Sequence, residues 1–463
     1  MLTKISLQSI SNWKPSFLFP SATNFSIINQ KPSSINLLIS SNRSWKNQEF
    51  QRFFTKKVQQ NEISKKSKNS LNIEELEKLA ANNDAEAAYI ITQKLGERAV
   101  TRGKFEKYLK QAADLGHEAA MYEYGVLTIT NQLKTQNDTR VADKCLKLVI
   151  KEGKPNYLYS AAVYYYRHKN AAEGERCLKM AVNKGHPDAM TLYADILIDQ
   201  NPEESMKLFK KAIEKGDPVA MYFYAINVYD DKFKGQKIDR KEAFKYMKMS
   251  ADTNGVKESI IECARMLHDG DLCEKNVKKS LFYYKKAADF YNDADSQYIY
   301  GQALYNGYED VKPDLKIGAL YMKKAAYHNH PVAAYKTAQI FRNGKGLFVM
   351  PNRSYQFFRS SADAGFIPAI RECAYSFFTG KYPDFKKDFT FAAKYIQNGA
   401  QLKDPVCIYN LGLIYMSGEG IRKDYEKGKY YLGLAEKNGF ANALEIGEKI
   451  YKNKISAIDY IKP

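Results

Sequence analysis

Two small residues stand five positions apart again and again in this chain: Ala120 and Gly125, Ala189 and Ala194, Ala220 and Ala225, Ser259 and Ala264, Ser296 and Gly301, Ala333 and Ala338, Ala369 and Ala374, Cys407 and Gly412. The first members return at intervals of 31 to 39 residues, apart from one double interval between Ala120 and Ala189. Each surrounding segment carries one narrow apolar stripe at helical spacing, too little to offset the entropy of ordering it alone. Copies stacked at a fixed period of this length bury a continuous core that no single copy could make. That pattern signals an α-solenoid.

The stretch 312–346 shows the unit clearly. Asp314 is placed to cap a helix through its carboxylate, and Ile317, Leu320, Tyr321 and Lys324 follow at helical spacing before Ala325 and Ala326 close it. The turn at Asn329, His330 and Pro331 opens a second helix that carries Ala333, Ala338 and Phe341, and Gly344 and Gly346 end it. Equivalent turns are expected at Asn83, Gly116, Gly153, Gly185, Gly216, Gly255, Asn292, Gly365, Gly399 and Gly439, where Gly and Asn enter the left-handed region at low cost. Partner helices are expected to be capped by Asp239, with Glu242 completing a capping box, and by Asn276, Asn352, Asp388 and Asp424. The unit at 156–167 lacks the small pair, and no glycine turn follows Ile198 or Tyr229. Irregular units are expected there.

The segment 404–439 resembles the Sel1-like repeat, a relative of the tetratricopeptide repeat, in Leu411-Gly412, Tyr415, Gly418-Glu419-Gly420, Asp424 and Tyr430-Tyr431. The resemblance extends from about Asn72 to Tyr451. It implies an all-α fold, a right-handed α-solenoid of about ten to eleven Sel1-like helix-turn-helix repeats. One array is expected over 72–452, preceded by a basic N-terminus at 1–57 and a polar linker at 58–71, and followed by a tail at 453–463. The 35 tyrosines suit such a core, because a phenol buries its ring while its hydroxyl stays wet.

The formal net charge of +19 is unevenly spread. Residues 1–70 hold 11 Lys and Arg against Glu49 and Glu62, or +9, leaving 60 basic and 50 acidic residues, or +10, for the remainder. The N-terminal stretch is Ser-rich, has no acid before Glu49, and is broken by Pro15, Pro20 and Pro32. That composition fits an organelle transit peptide, and Arg52-Phe53-Phe54 before Thr55 is similar to a matrix-peptidase site. A cytoplasmic protein with a disordered basic tail is the alternative. No segment reaches the roughly 18 apolar residues of a spanning helix.

Catalytic patterns are not found. His117, His186 and His330 share one turn position, so repetition accounts for them; His328 and His330 together lack the further ligands that a metal needs. Five of the six cysteines replace repeat positions and only Cys273 lies outside the pattern, so reduced thiols packed as small apolar groups are expected. Gly344-Lys345-Gly346 and Gly418-Glu419-Gly420 are not followed by the Lys-Ser/Thr of a phosphate loop, and read as inter-helix connections. No enzyme, cofactor or metal site is expected.

Function then falls to surface. The resemblance implies that the helices bearing the small pairs line a concave face that receives a partner. Three residues after each first small residue stand Glu123, Leu192, Phe223, Glu262, Ile299, Lys336, Glu372 and Asn410; six after stand Asp195, Arg265, Gln302 and Gln339. From this row Glu123, Leu192, Phe223, Glu262, Arg265, Lys336, Gln339, Glu372 and Asn410 are the expected partner contacts. A groove of mixed polarity suits a polypeptide segment. The expected function is a non-catalytic scaffold for protein-protein interaction, an assembly or maturation factor in mitochondria or a related organelle. The alternatives are an organelle RNA-binding solenoid, given the residual +10, and a cytosolic signalling adaptor. Lysines mostly alternate with acids along the helices, as on solvated surfaces, which weighs against RNA.

Overall fold

The computed structural model describes residues 68–96, 101–129, 133, 139–233, 235–236, 238–309, 311–380 and 385–463. The transit-peptide, cleavage-site and most of the linker expectations lie outside the described residues. Among the described residues there are twenty-two α-helices, in pairs. They are α1 (Ile73–Ala81), α2 (Ala85–Leu95), α3 (Arg102–Asp114), α4 (Glu118–Ile129), α5 (Thr139–Glu152), α6 (Pro155–Arg167), α7 (Ala171–Asn183), α8 (Pro187–Leu197), α9 (Pro202–Glu214), α10 (Pro218–Tyr229) and α11 (Lys241–Asp252). The second half holds α12 (Lys257–Asp269), α13 (Val277–Phe290), α14 (Ala294–Asn306), α15 (Leu315–Tyr327), α16 (Pro331–Asn343), α17 (Pro351–Asp363), α18 (Ile367–Thr379), α19 (Phe389–Gln401), α20 (Pro405–Ser417), α21 (Tyr425–Lys437) and α22 (Ala443–Tyr451). A 3₁₀ turn, Ala457–Asp459, follows. The described chain divides into two compact units, one ending at Val256 and one running over Lys257–Pro463.

Helix starts follow the expected chemistry at most positions. Asn276, Asp314, Asp388 and Asp424 each accept first-turn amide hydrogens through the side chain. Three residues play the same part with an imidazole: His117, His186 and His330 accept the N–H of Ala120, Ala189 and Ala333 at 3.2, 3.3 and 3.1 Å through Nδ1. Two caps differ from expectation. Asn352 lies inside α17, where Pro351 takes the first position and Met350 precedes it. The box of Asp239 and Glu242 does not form: Arg240 stands at the N-cap of α11, Asp239 accepts the Lys241 N–H at 3.0 Å, and the Glu242 carboxylate accepts the Tyr224 hydroxyl at 3.0 Å.

The turns differ at two places. Asn254, not Gly255, holds the positive φ of 58°, and Lys403, not Gly399, holds one of 61°. Gly399 lies within α19 and faces Cys407 and Ile370, so close approach of helices, not a turn, requires its missing side chain. The irregular units still pair their helices. After Ile198 a short turn ends on Asn201, which caps α9. After Tyr229 a longer connection brings Phe233 into the core against Phe209 and Tyr224.

Each even-numbered helix from α2 to α20 packs most closely on the odd-numbered helix that follows it. The small residues explain this. A Cβ on Gly301 would stand 2.8 Å from the Met322 nitrogen, and one on Gly318 would stand 2.7 Å from the Gly301 carbonyl oxygen, so α14 and α15 meet backbone to backbone. Ala189, Ala220, Ala333 and Ala369 are all fully buried. A serine fixes several of these seams. The buried hydroxyls of Ser205, Ser280 and Ser354 donate to the carbonyls of Ala194, Ala264 and Ala338 at 2.6, 2.7 and 3.0 Å. In the second unit one apolar core runs from Ala325 to Ile461, with Phe358, Phe378 and Phe385 among its largest buried side chains.

Candidate functional site

Residues three and six places beyond a small reference residue share one side of an even-numbered helix. In the first unit that row is largely covered. Leu192 is 1% exposed and Phe223 6% exposed, so both belong to the core and neither presents a free surface, a correction to the expected contact row. Glu123 is half-buried beside Tyr89, whose phenol is pushed upward by burial first and then by the Glu123 charge.

In the second unit several members of the row are engaged within the fold. Glu262 pairs with Arg265 at 2.9 Å, and Arg265 also reaches Asp269 and Asp271. Glu372 pairs with Arg342 at 2.6 Å, and that guanidinium lies over the Phe358 ring. Asn410 is 2% exposed, another departure from the expected open surface. Its Nδ2 donates to the Lys462 carbonyl at 2.7 Å and its Oδ1 accepts the Lys462 N–H at 2.9 Å, so a later stretch of the same chain lies over it.

Lys336 and Gln339 are placed differently. They share a pocket of about 240 Å³ with Gln302 of the same row, and with Tyr305, Asn306, Asn343 and Lys345. Met322 and Ile340, 2% and 4% exposed, form its apolar floor. Lys345 is set by its loop: Gly346 has a φ of 87° and lies flat on the Leu315 carbonyl, where a side chain would not fit, and the Tyr305 hydroxyl donates to the Lys345 carbonyl at 3.2 Å. Of the residues that the row missed, Tyr305, Asn306 and Asn343 lie one helical turn further along it, while Met322 and Lys345 come from α15 and from the loop after α16. Gln302, Tyr305 and Asn306, and Lys336, Gln339 and Asn343, follow three- and four-residue spacings, so a longer reading of the same stripe would have reached them.

The histidines and cysteines are used in packing and capping. Besides their capping bonds, His117 Nε2 lies 2.9 Å from Glu86 and His330 Nε2 lies 3.3 Å from Asp295, and their rings stack on Tyr89 and Tyr298. His186 stacks on Tyr159, and burial holds its pKa down at about 4 despite the nearby Asp217. His328 Nδ1 meets the Gln297 amide oxygen at 2.8 Å. No group of three or more potential metal ligands occurs among the described residues. All six cysteines are free thiols, five of them buried. Burial pushes Cys145 up to about 12 and Cys177 up to about 11, which leaves little thiolate at neutral pH. No described helix is long and apolar enough to cross a membrane.

Comparison with known proteins matches the repeats themselves. The model of the Sel1 repeat fits residues 106–117, 189–217, 218–253, 257–289, 294–330, 331–366, 367–404 and 405–440, more than half of the chain. From 294 onward each matched segment begins at an even-numbered helix and ends at the turn after its odd-numbered partner, so the tightly packed pair is the repeating unit. Among solved structures, a protective antigen of uropathogenic Escherichia coli with an SLR fold is 17% identical over 85% of this chain and 94% of that one, with a TM-score of 0.44. A Sel1 repeat protein from Oxalobacter formigenes is 17% identical over 76% of this chain and 92% of that one, with a TM-score of 0.47. None of the curated proteins matches.

Proposed function

Since the chain belongs to the Sel1 repeat family, a family of protein-interaction scaffolds that are generally not enzymes, we propose that it acts as a non-catalytic scaffold and serves as an assembly or maturation factor in mitochondria or a related organelle. The observation that carries the scaffold reading is the pocket at Lys336 and Gln339. It is a polar hollow on an apolar floor, built from two successive repeats at the row that the repeat register marks for contact. Glu123, Glu262, Arg265 and Glu372 remain at the edges of that row as half-buried polar groups. The organelle part rests on the Ser-rich, acid-free stretch before Glu49 with Lys4, Lys14 and Lys31.

Proximity labelling in the native cell tests both parts, since it reports compartment and neighbours together. Labelled proteins of one organelle assembly are the expected outcome. A reporter fused after Lys57 is expected to enter mitochondria or a related organelle, and an endogenous chain that keeps Met1 would instead favour the cytosolic adaptor.

RNA binding is the second reading, supported by the residual +10. Many lysines are neutralised where they stand, as in Lys207–Glu203, Lys248–Asp252 and Lys449–Glu445 at 2.7, 2.8 and 2.6 Å, and this weighs against a phosphate track. Loss of orders of magnitude of RNA affinity between about 50 and 200 mM salt would support RNA over protein.

A further inference from the structure

The pocket between α14 and α16 has a one-sided chemistry. It brings together two ammonium groups, Lys336 and Lys345, and four carboxamides, Gln302, Asn306, Gln339 and Asn343, and no carboxylate is among its described lining residues. Neither lysine makes an ion pair among the described residues, whereas Lys285 pairs with Asp289 and Lys275 with Glu309, both at 2.8 Å. The larger hollow near Tyr415 differs in carrying its own carboxylate: Lys427 pairs with Asp424 at 3.3 Å, and Lys423 donates to the Tyr451 carbonyl at 2.9 Å. The Lys336 pocket is thus a concentration of unanswered positive charge on an apolar floor.

Its size sets what enters. A volume of about 240 Å³ lies below the range of roughly 300–1,000 Å³ usual for drug-sized ligands and cofactors, and suits one side chain with its flanking main chain. The carboxamides indicate how that main chain would be held. Asn410 occupies the position in its repeat that Lys336 occupies in its own, three residues after the small reference residue. Its amide binds both the N–H and the carbonyl of Lys462. A carboxamide on this row therefore already holds both main-chain groups of one residue within the same unit.

We infer that this pocket binds an acidic segment of a partner protein, one Asp or Glu carboxylate entering between Lys336 and Lys345 while Gln302 and Gln339 take the flanking main-chain groups. This rests on the scaffold reading above and specifies the kind of partner. A phosphodiester chain fits less well. It needs a track of cations, whereas this site offers two ammoniums surrounded by groups that both donate and accept.

The test is a selection of short, capped, random peptides on the full chain, repeated with Lys336→Glu/Lys345→Glu and with Lys336→Arg/Lys345→Arg. The wild type is expected to select peptides enriched in Asp or Glu. The glutamate variant is expected to bind them about tenfold or more weakly and the arginine variant nearly as well, since only the first reverses the charge. Equal thermal melts of the three chains establish that folding is unchanged. No acidic enrichment, no selected peptide, or equal binding by the glutamate variant overturns the inference. Binding of a single-stranded oligonucleotide that the glutamate variant loses also overturns it, in favour of nucleic acid. If the glutamate variant still retrieves the proximity-labelled partners, the pocket assignment falls and the scaffold reading stands. If the wild type retrieves no protein, the scaffold reading itself falls.

Discussion

The side-chain amide of Asn410 closes a two-bond ring with the backbone of Lys462, donating through Nδ2 at 2.7 Å and accepting through Oδ1 at 2.9 Å. Fifty-two residues separate the two, so the contact fastens the stretch that follows α22 onto α20. Asn410→Ala removes both bonds from a site that is 2% exposed and is expected to cost about 1–3 kcal/mol. Hydrogen exchange is expected to lose protection at Ile461 and Lys462 while the first unit keeps its own. Unchanged protection there would detach the stretch from Asn410.

The glycine seams make a paired prediction. Gly318→Ala sets a methyl 2.5 Å from the Tyr305 nitrogen and 2.7 Å from the Gly301 carbonyl, backbone atoms that do not move aside cheaply. A loss of about 1–3 kcal/mol is expected. Gly433→Ala lies in α21 with nothing within 4 Å, so the gain in helix propensity stands alone, and a stabilisation of about 0.5–1 kcal/mol is expected. Denaturant midpoints measured side by side decide it. Equal shifts of one sign would contradict the seam.

His186 gives the chain a calculable response to acid. Its pKa is about 4 in the fold against about 6.5 in an unfolded chain. As pH falls through that window the unfolded chain takes up a proton that the folded one refuses, so stability drops, by up to on the order of 3 kcal/mol. Asp188 and Asp217 act in the opposite sense. Burial raises both, so the folded chain takes their protons first and gains stability as pH falls. The difference between wild type and His186→Asn isolates the imidazole, because Asn caps a helix without titrating. The wild-type advantage is expected to shrink from pH 7 to pH 4, and a constant difference would remove His186 from the account.

Thiol labelling checks the burial pattern. Cys273, half-buried and donating to the Met266 carbonyl at 3.4 Å, is expected to react first with a maleimide in the native chain. The other five should react only on unfolding, and Cys273→Ser should abolish native labelling. Rapid native labelling at Cys407 would contradict the close seam between α19 and α20.

The small pairs and the shared histidine position were legible because each is a property of spacing. Ala189 and Ala333 are buried where the period places them, and His117, His186 and His330 cap where it puts a turn. The contact row was legible as a face but not as a surface. Leu192 and Phe223 lie on the expected side of their helices, yet periodicity does not say how far a neighbour covers that side. Asn410 was beyond such reasoning, since what covers it arrives from 52 residues away with no cue in local sequence. The turns at Asn254 and Lys403 failed for another reason. Asn254 takes the positive φ beside the expected Gly255, and at the other turn Lys403, a residue type outside the Gly and Asn pattern, takes it four places beyond Gly399.

The serine bonds across the seams limit how these repeats deform. The hydroxyls of Ser205, Ser280 and Ser354 each reach one carbonyl on the neighbouring helix, and all three are fully buried. A shift of one helix past the other by a single turn, about 5.4 Å, would strand the hydroxyl without water and cost about 1–3 kcal/mol at each seam. A small tilt about the same contact preserves the bond. Such repeats flex like the leaves of a hinge and resist shear, so a guest that needs a different curvature meets a compliant surface whose register does not slip.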